Sequence, residues 1–168
     1  MTRKLRAVRL SLLVAALLAT SPAYADLSVA GGITSESTAA LKVELDREFS
    51  LESWHPRLSL RLATGLLLLS SDTEHGNAAW LLTPAFRYTF AGESGTFLEA
   101  GIGASVFLET RVESRELSTS FQFEDRLALG MPLARGEIMA SVTHYSNARI
   151  ARPNDGFEVF ALSYRRPW

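Results

Sequence analysis

Residues 41–49 read LKVELDREF, and this stretch decides the fold. Its apolar and charged side chains take opposite parities, with Leu41, Val43, Leu45 and Phe49 alternating against Lys42, Glu44, Asp46 and Glu48. Successive side chains of a β-strand point to opposite faces, so one face of this segment is apolar and the other needs water or counter-charges. The pattern predicts a strand with lipid on one side and a polar barrel interior on the other.

Seven further segments repeat this alternation along the chain. They lie at residues 27–33, 58–62, 80–90, 98–106, 121–129, 136–147 and 157–168. The connections at 91–96 and 130–135 are short, whereas those at 70–77, 109–118 and 147–156 are longer and more polar, as in outer-membrane barrels. Aromatic residues near the segment ends, among them Phe107, are predicted to form interfacial girdles. The sequence therefore predicts an all-β fold, an eight-stranded antiparallel transmembrane β-barrel of the outer membrane.

The N-terminus has the composition of a secretory signal. Four basic residues precede an apolar run at residues 10–19, and Ala23-Tyr24-Ala25 fits a signal-peptidase site. We expect residues 1–25 to be cleaved and residues 26–168 to form the barrel. Cleavage removes four of 17 basic and none of 18 acidic residues, which leaves 13 against 18 and a formal net charge of −5. This balance argues against nucleic acid as a partner.

A soluble β-sandwich or lipocalin-like barrel also shows a period of two, but with its apolar face inward. Two features favour the membrane barrel: the predicted interior carries repeated charges, and the last segment ends in aromatic residues, including Trp168. The chain has no cysteine, so no disulfide or thiolate site holds the fold together. A closed hydrogen-bonded ladder would do so.

Three polar side chains interrupt the outward stripe at the last hairpin. His144 and Ser146 continue the face of Val142, and Glu158 shares the parity of Phe160. Two registers remain open, one with Glu158 opposite Ser146 and one with Glu158 opposite His144, and both keep the three residues on one face. The spacing suits a serine esterase in which Ser146 attacks a carbonyl, His144 takes its proton and Glu158 orients the imidazole.

The connection at 147–156 adds groups that suit an ester substrate. Asn147 and Asn154 carry amides that could donate hydrogen bonds to an oxyanion, and Arg149 and Arg152 could bind phosphates. No Gly-x-Ser-x-Gly elbow is present, so the sequence does not support a soluble α/β-hydrolase.

The segments HYSNA at 144–148 and PNDG at 153–156, followed by Glu158, resemble the signature of the lipid A 3-O-deacylase (PagL) family. The resemblance implies an eight-stranded outer-membrane barrel whose lipid-facing Ser-His-Glu site removes the acyl chain at the 3 position of lipid A. It also implies that Asn154 donates to the oxyanion. Many relatives have glycine where this chain has Arg149, and a large side chain there is compatible with a negative φ.

The resemblance also implies the partners. Lipid A of lipopolysaccharide is the expected substrate and the outer membrane the expected location, and a homodimer is compatible with the sequence. The proposed chemistry needs no metal or cofactor, and neither His55 nor His75 has partners at metal-ligand spacing. Two alternatives stay open: a non-catalytic small barrel, and an acyltransferase that passes the acyl group from serine to an alcohol.

Overall fold

Eight strands close into one antiparallel barrel in the computed structural model, which describes residues 25–70 and 76–167. The predicted signal peptide, apart from Ala25, and Trp168 lie outside the described residues. The barrel strands are β1 (Asp26–Thr34), β2 (Ala39–Ser50), β3 (Leu58–Leu69), β4 (Asn77–Thr89), β5 (Phe97–Phe107), β8 (Phe121–Leu133), β9 (Gly136–Ser146) and β10 (Phe157–Arg166). A two-stranded hairpin, β6 (Arg111–Val112) with β7 (Arg115–Glu116), lies in the connection after β5. The predicted fold is thus confirmed.

Neighbouring strands pair in chain order, and β1 closes the barrel against β10. Residues 35–38, 108–120 and 147–156 connect strands at one end, which we call the loop end. The connections at 51–57, 90–96 and 134–135 lie at the other end. In the described parts of the chain, no helix is long and apolar enough to cross a membrane.

The interior holds a network of ion pairs. Arg61, which is 0% exposed, binds Glu99 at 2.9 Å, Asp46 at 3.2 Å and Glu44 at 3.3 Å. Other interior arginines extend the network: Arg87, Arg126 and Arg165. The carboxylates that alternate with apolar residues in β2, namely Glu44, Asp46 and Glu48, therefore face arginines across the lumen.

The interior becomes apolar toward the loop end. Side chains of β2, β3, β4, β5, β9 and β10 form a buried cluster there, joined by Val112 and Leu117 from the 108–120 connection. Phe107 belongs to this cluster and is 1% exposed, so its predicted place in the lipid-facing girdle is wrong. Its ring makes edge contacts with Tyr145 and Phe157. The cluster gives the last hairpin a packed inner face.

Candidate active site

Inward aromatic packing sets the outward direction of the candidate residues. Tyr145 and Phe157 are fully buried and stack with ring centroids 5.2 Å apart. Because side chains alternate along each strand, packing these two rings inside turns His144, Ser146 and Glu158 to the outer face. The three residues predicted from parity therefore share one surface at the loop end of β9 and β10.

The strand register brings Glu158 directly opposite His144. Glu158 Oε1 lies 2.9 Å from His144 Nδ1, and the two side chains are 39% and 40% exposed. Of the two registers open at the level of sequence, the structure has the second. A carboxylate at Nδ1 leaves Nε2 as the nitrogen that can take a proton from a nucleophile.

Ser146 follows His144 by two residues on the same face of β9 and lies opposite Phe123 of β8. This separation is about 6.5–7 Å along a strand, within reach of an imidazole that leans along the face. Within the described residues, Ser146 Oγ makes no hydrogen bond, so its hydroxyl is not committed to another partner.

The two asparagines have different places in the 147–156 loop. Asn147 is fully buried, and its Nδ2 donates to Leu117 O at 2.8 Å and to Ala151 O at 3.2 Å. Both amide hydrogens are used, so the expectation that its side chain donates to an oxyanion is corrected: this amide holds the loop in place. Asn154 Oδ1 accepts from the backbone N–H of Asn147 at 2.9 Å, which leaves the Nδ2 group of Asn154 as a donor.

The two arginines of the loop are exposed, as a role with phosphates requires. Arg149 has φ of +67°, and Ala148 before it has +52°. The negative φ expected for a large side chain at residue 149 is therefore wrong. Left-handed backbone costs a non-glycine residue about 1–2 kcal/mol, so the loop holds Arg149 in a conformation that glycine would adopt more readily.

A second carboxylate stands beside His144, and the sequence reading missed it. Asp125 of β8 faces outward and lies opposite His144 on the side away from Glu158. It lines an outer groove of about 800 Å³ whose other walls are Pro84, Phe86, Ala100, Gly101, Ile102, Arg126, Leu127, Val142 and His144. The sequence contained a signal for this residue. Asp125 is a polar residue in the outward-facing apolar stripe of Phe123 and Leu127, just as His144 is in that of Val142.

Gly156 packs against the imidazole of His144. A Cβ at this residue would lie 2.8 Å from His144 Cε1, 3.1 Å from Nε2 and 2.7 Å from Tyr145 O. We expect Gly156→Ala to displace the ring and lower kcat about 100-fold, since errors of about 1 Å at a reacting group cost this much. Gly31→Ala is the matched control, because a Cβ there meets nothing within 4 Å. Equal activities of the two variants would contradict this role for Gly156.

Fold and site together define a class of protein: a small β-barrel with a His–Glu pair and a serine on its apolar outer face. The family model for lipid A 3-O-deacylase (PagL) matches residues 39–167. Lipid A deacylase PagL of Pseudomonas aeruginosa is 36% identical over 149 residues, which cover 85% of this chain and 86% of that protein. The chain belongs to the lipid A 3-O-deacylase (PagL) family.

Two further comparisons agree with this. Lipid A deacylase PagL of Bordetella bronchiseptica is 39% identical over 82 residues, 48% of this chain and 45% of that protein. The crystal structure of the outer membrane enzyme PagL superposes with a TM-score of 0.76 at 33% identity, covering 85% of this chain and 99% of that one. The barrel is thus an outer-membrane fold with its apolar outer face toward lipid.

Proposed function

We propose that this protein is a serine esterase that removes the 3-hydroxyacyl chain ester-linked at the 3 position of lipid A. The observation that carries the proposal is the His144–Glu158 hydrogen bond of 2.9 Å on the lipid-facing surface, with Ser146 on the same face. Membership of a family described as lipid A 3-O-deacylases supports the choice of substrate.

The chemistry follows the roles of a serine triad. Ser146 Oγ attacks the ester carbonyl while its proton passes to His144 Nε2, and Glu158 at Nδ1 stabilises the charged imidazole. The bond between the acyl carbon and the sugar oxygen then breaks, and this oxygen takes the proton from His144. Water, deprotonated by the same histidine, hydrolyses the acyl-serine and releases a free hydroxy fatty acid.

Substrate recognition is assigned to three parts of the outer surface. The Nδ2 group of Asn154 is the proposed donor to the oxyanion, and the exposed Arg149 and Arg152 would bind the phosphates of lipid A. The apolar groove beside His144 suits an acyl chain, and Asp125 offers an acceptor to a hydroxyl group in it. A lipid-facing site meets the ester without extracting the lipid, and the low dielectric strengthens each polar contact.

The export route is a separate proposal. We propose that residues 1–25 are removed as a signal peptide, so that the mature chain begins at Asp26. Asp26 is the first residue of β1, which closes the barrel against β10, so cleavage before it leaves every barrel strand complete.

The mass of lipid A tests the activity. Cells that express the wild type should lose one hydroxyacyl chain from lipid A, whereas cells that express His144→Asn should keep it, because the variant lacks the base. Transfer from a phospholipid would raise the mass by one acyl chain, and this result would favour the acyltransferase. Identical spectra for wild type, His144→Asn and an empty vector would favour a non-catalytic barrel.

A further inference from the structure

The turn between β1 and β2 binds the backbone of Glu158. Ser35 N–H donates to Glu158 O at 2.8 Å, and Glu158 N–H donates to Ser35 Oγ at 3.3 Å, continuing the pairing of β1 with β10. Thr34 Oγ1 accepts from the backbone N–H groups of Glu36 and Thr38, which winds the turn tightly. Glu36 is therefore held one residue from the partner of Glu158.

Glu36 in turn binds the long connection between β5 and β8. Its Oε1 accepts from Arg115 Nε at 2.5 Å and from Ser114 Oγ at 2.6 Å, and its Oε2 accepts from Ser114 N–H at 3.3 Å. These hydrogen bonds, that of Ser114 first and that of Arg115 next, lower the pKa of Glu36 to about 2. Glu36 is an anion at neutral pH and holds the Arg115 cation by its charge.

Two contacts place Arg115 beside residues 155–158. Its partner Glu36 follows Ser35, which binds the Glu158 backbone, and its neighbour Glu116 accepts from the Asp155 N–H at 3.2 Å. The hydrogen bond and charge of Glu36 raise the pKa of Arg115, and the charges of Glu158 and Asp155 add to this effect. Arginine and carboxylate groups form strong, often bidentate pairs. An Arg115 side chain released from Glu36 would therefore compete with His144 for Glu158.

The neighbouring Glu113 does not offer Arg115 a second anchor of equal strength. Its Oε1 accepts from Thr34 Oγ1 at 2.8 Å. Burial, together with the hydrogen bond and charge of Glu36, raises the pKa of Glu113. Glu116, the other carboxylate of this hairpin, lies 3.7 Å from Arg111 Nε. Glu36 is thus the carboxylate that retains Arg115 at the loop end.

We propose that Glu36 is a positioning residue for the lipid-facing site: by binding Arg115 it keeps this cation off Glu158, so that the Glu158 carboxylate stays on His144. The inference rests on the proposed esterase function, because the role of Glu36 is expressed through Glu158. It predicts that Arg115 is harmful when Glu36 is absent and nearly neutral when it is present.

A three-variant comparison tests this with purified, folded barrels and lipid A in detergent micelles. We expect Glu36→Ala to lower kcat about tenfold with little change in KM, because loss of the group that orients a catalytic histidine acts on the reacting groups rather than on binding. Arg115→Ala should stay within about twofold of the wild type, and the double variant within about threefold of Arg115→Ala. Arg111→Ala, which removes an exposed ion pair of the same loop, is the matched control.

If the Glu36–Arg115 ion pair only stabilised the loops, the variants would show a different pattern of activities. In that case Arg115→Ala would be as impaired as Glu36→Ala, and the double variant would show no recovery, which overturns the proposal. Glu36→Gln, which keeps one acceptor oxygen and removes the charge, should be intermediate. Full activity of both Glu36 variants would overturn the proposal as well. Ser146→Ala in the same assay distinguishes failure of the proposed esterase function from failure of the inference about Glu36. A wild type no faster than Ser146→Ala removes the proposed function, whereas an active wild type with an unimpaired Glu36→Ala removes only this inference.

Discussion

We expect Ser146→Ala to lower kcat for release of the hydroxyacyl chain from lipid A by about 10⁴-fold or more, the loss that follows when a serine nucleophile is removed from a triad. The variant keeps the His144–Glu158 pair and the outer groove, so KM for lipid A changes little. The residual rate would come from substrate binding and oxyanion stabilisation alone. Release of free hydroxy fatty acid from purified lipid A in micelles, measured by mass spectrometry over time, checks the prediction.

Ser141→Ala is the matched control for this experiment. Ser141 lies on the same strand as Ser146 but has the opposite parity, and it pairs with Ala128 and Ala161. Its loss should leave kcat within about twofold of the wild type, as expected of a serine remote from the reacting groups. If the two variants were equally active, Ser146 would not be the nucleophile, and the barrel would need another catalytic group or none.

The second large effect concerns the barrel interior. Arg61→Met should lower the free energy of unfolding by about 3 kcal/mol or more, because removing one partner of a buried ion-pair network leaves carboxylates uncompensated. Arg61 is 0% exposed and binds Glu44, Asp46 and Glu99, all buried. Urea unfolding of the refolded barrel in lipid vesicles, followed by tryptophan fluorescence, measures the change.

Arg47→Met is the control for this variant. Arg47 lies on β2 but faces outward, with its guanidinium carbon 5.5 Å from the centroid of the Phe49 ring. Its loss should change the free energy of unfolding by less than about 1 kcal/mol, the size of an exposed cation–π contact. Similar stabilities of the Arg61 and Arg47 variants would mean that the interior network contributes little to the fold.

Local alternation made most of the fold readable from the sequence. The segment at 41–49 predicts its own two faces, and β2 spans residues 39–50 with Lys42, Glu44 and Asp46 buried inside. The same rule, applied to Val142, placed His144 and Ser146 on the outer face. Applied to β8, the same parity rule would also have predicted that Asp125 faces outward.

Two predictions were wrong because they followed residue type instead of parity, and both concern side chains with long-range partners. Phe107 has the aromatic character of a girdle residue, yet it packs inward against Tyr145 and Phe157, both distant in sequence. The side chain of Asn147 looked like an oxyanion donor, but it is used by Leu117 O, 30 residues away in the chain. Phe107 has the inward parity of β5 and Asn147 has that of Tyr145, so the local pattern contained the direction of both side chains but not their partners.

The sequence by itself determined which side chains face lipid and which face the interior, because the direction of a side chain depends on parity along its own strand. Tertiary structure decided which of them meet. An even shift of register preserves both faces, so packing of Tyr145 on Phe157 and closure of the barrel were needed to bring Glu158 opposite His144. Glu36 and Arg115 are 79 residues apart in the chain, and both lie outside the barrel strands. Strand periodicity therefore does not predict their contact.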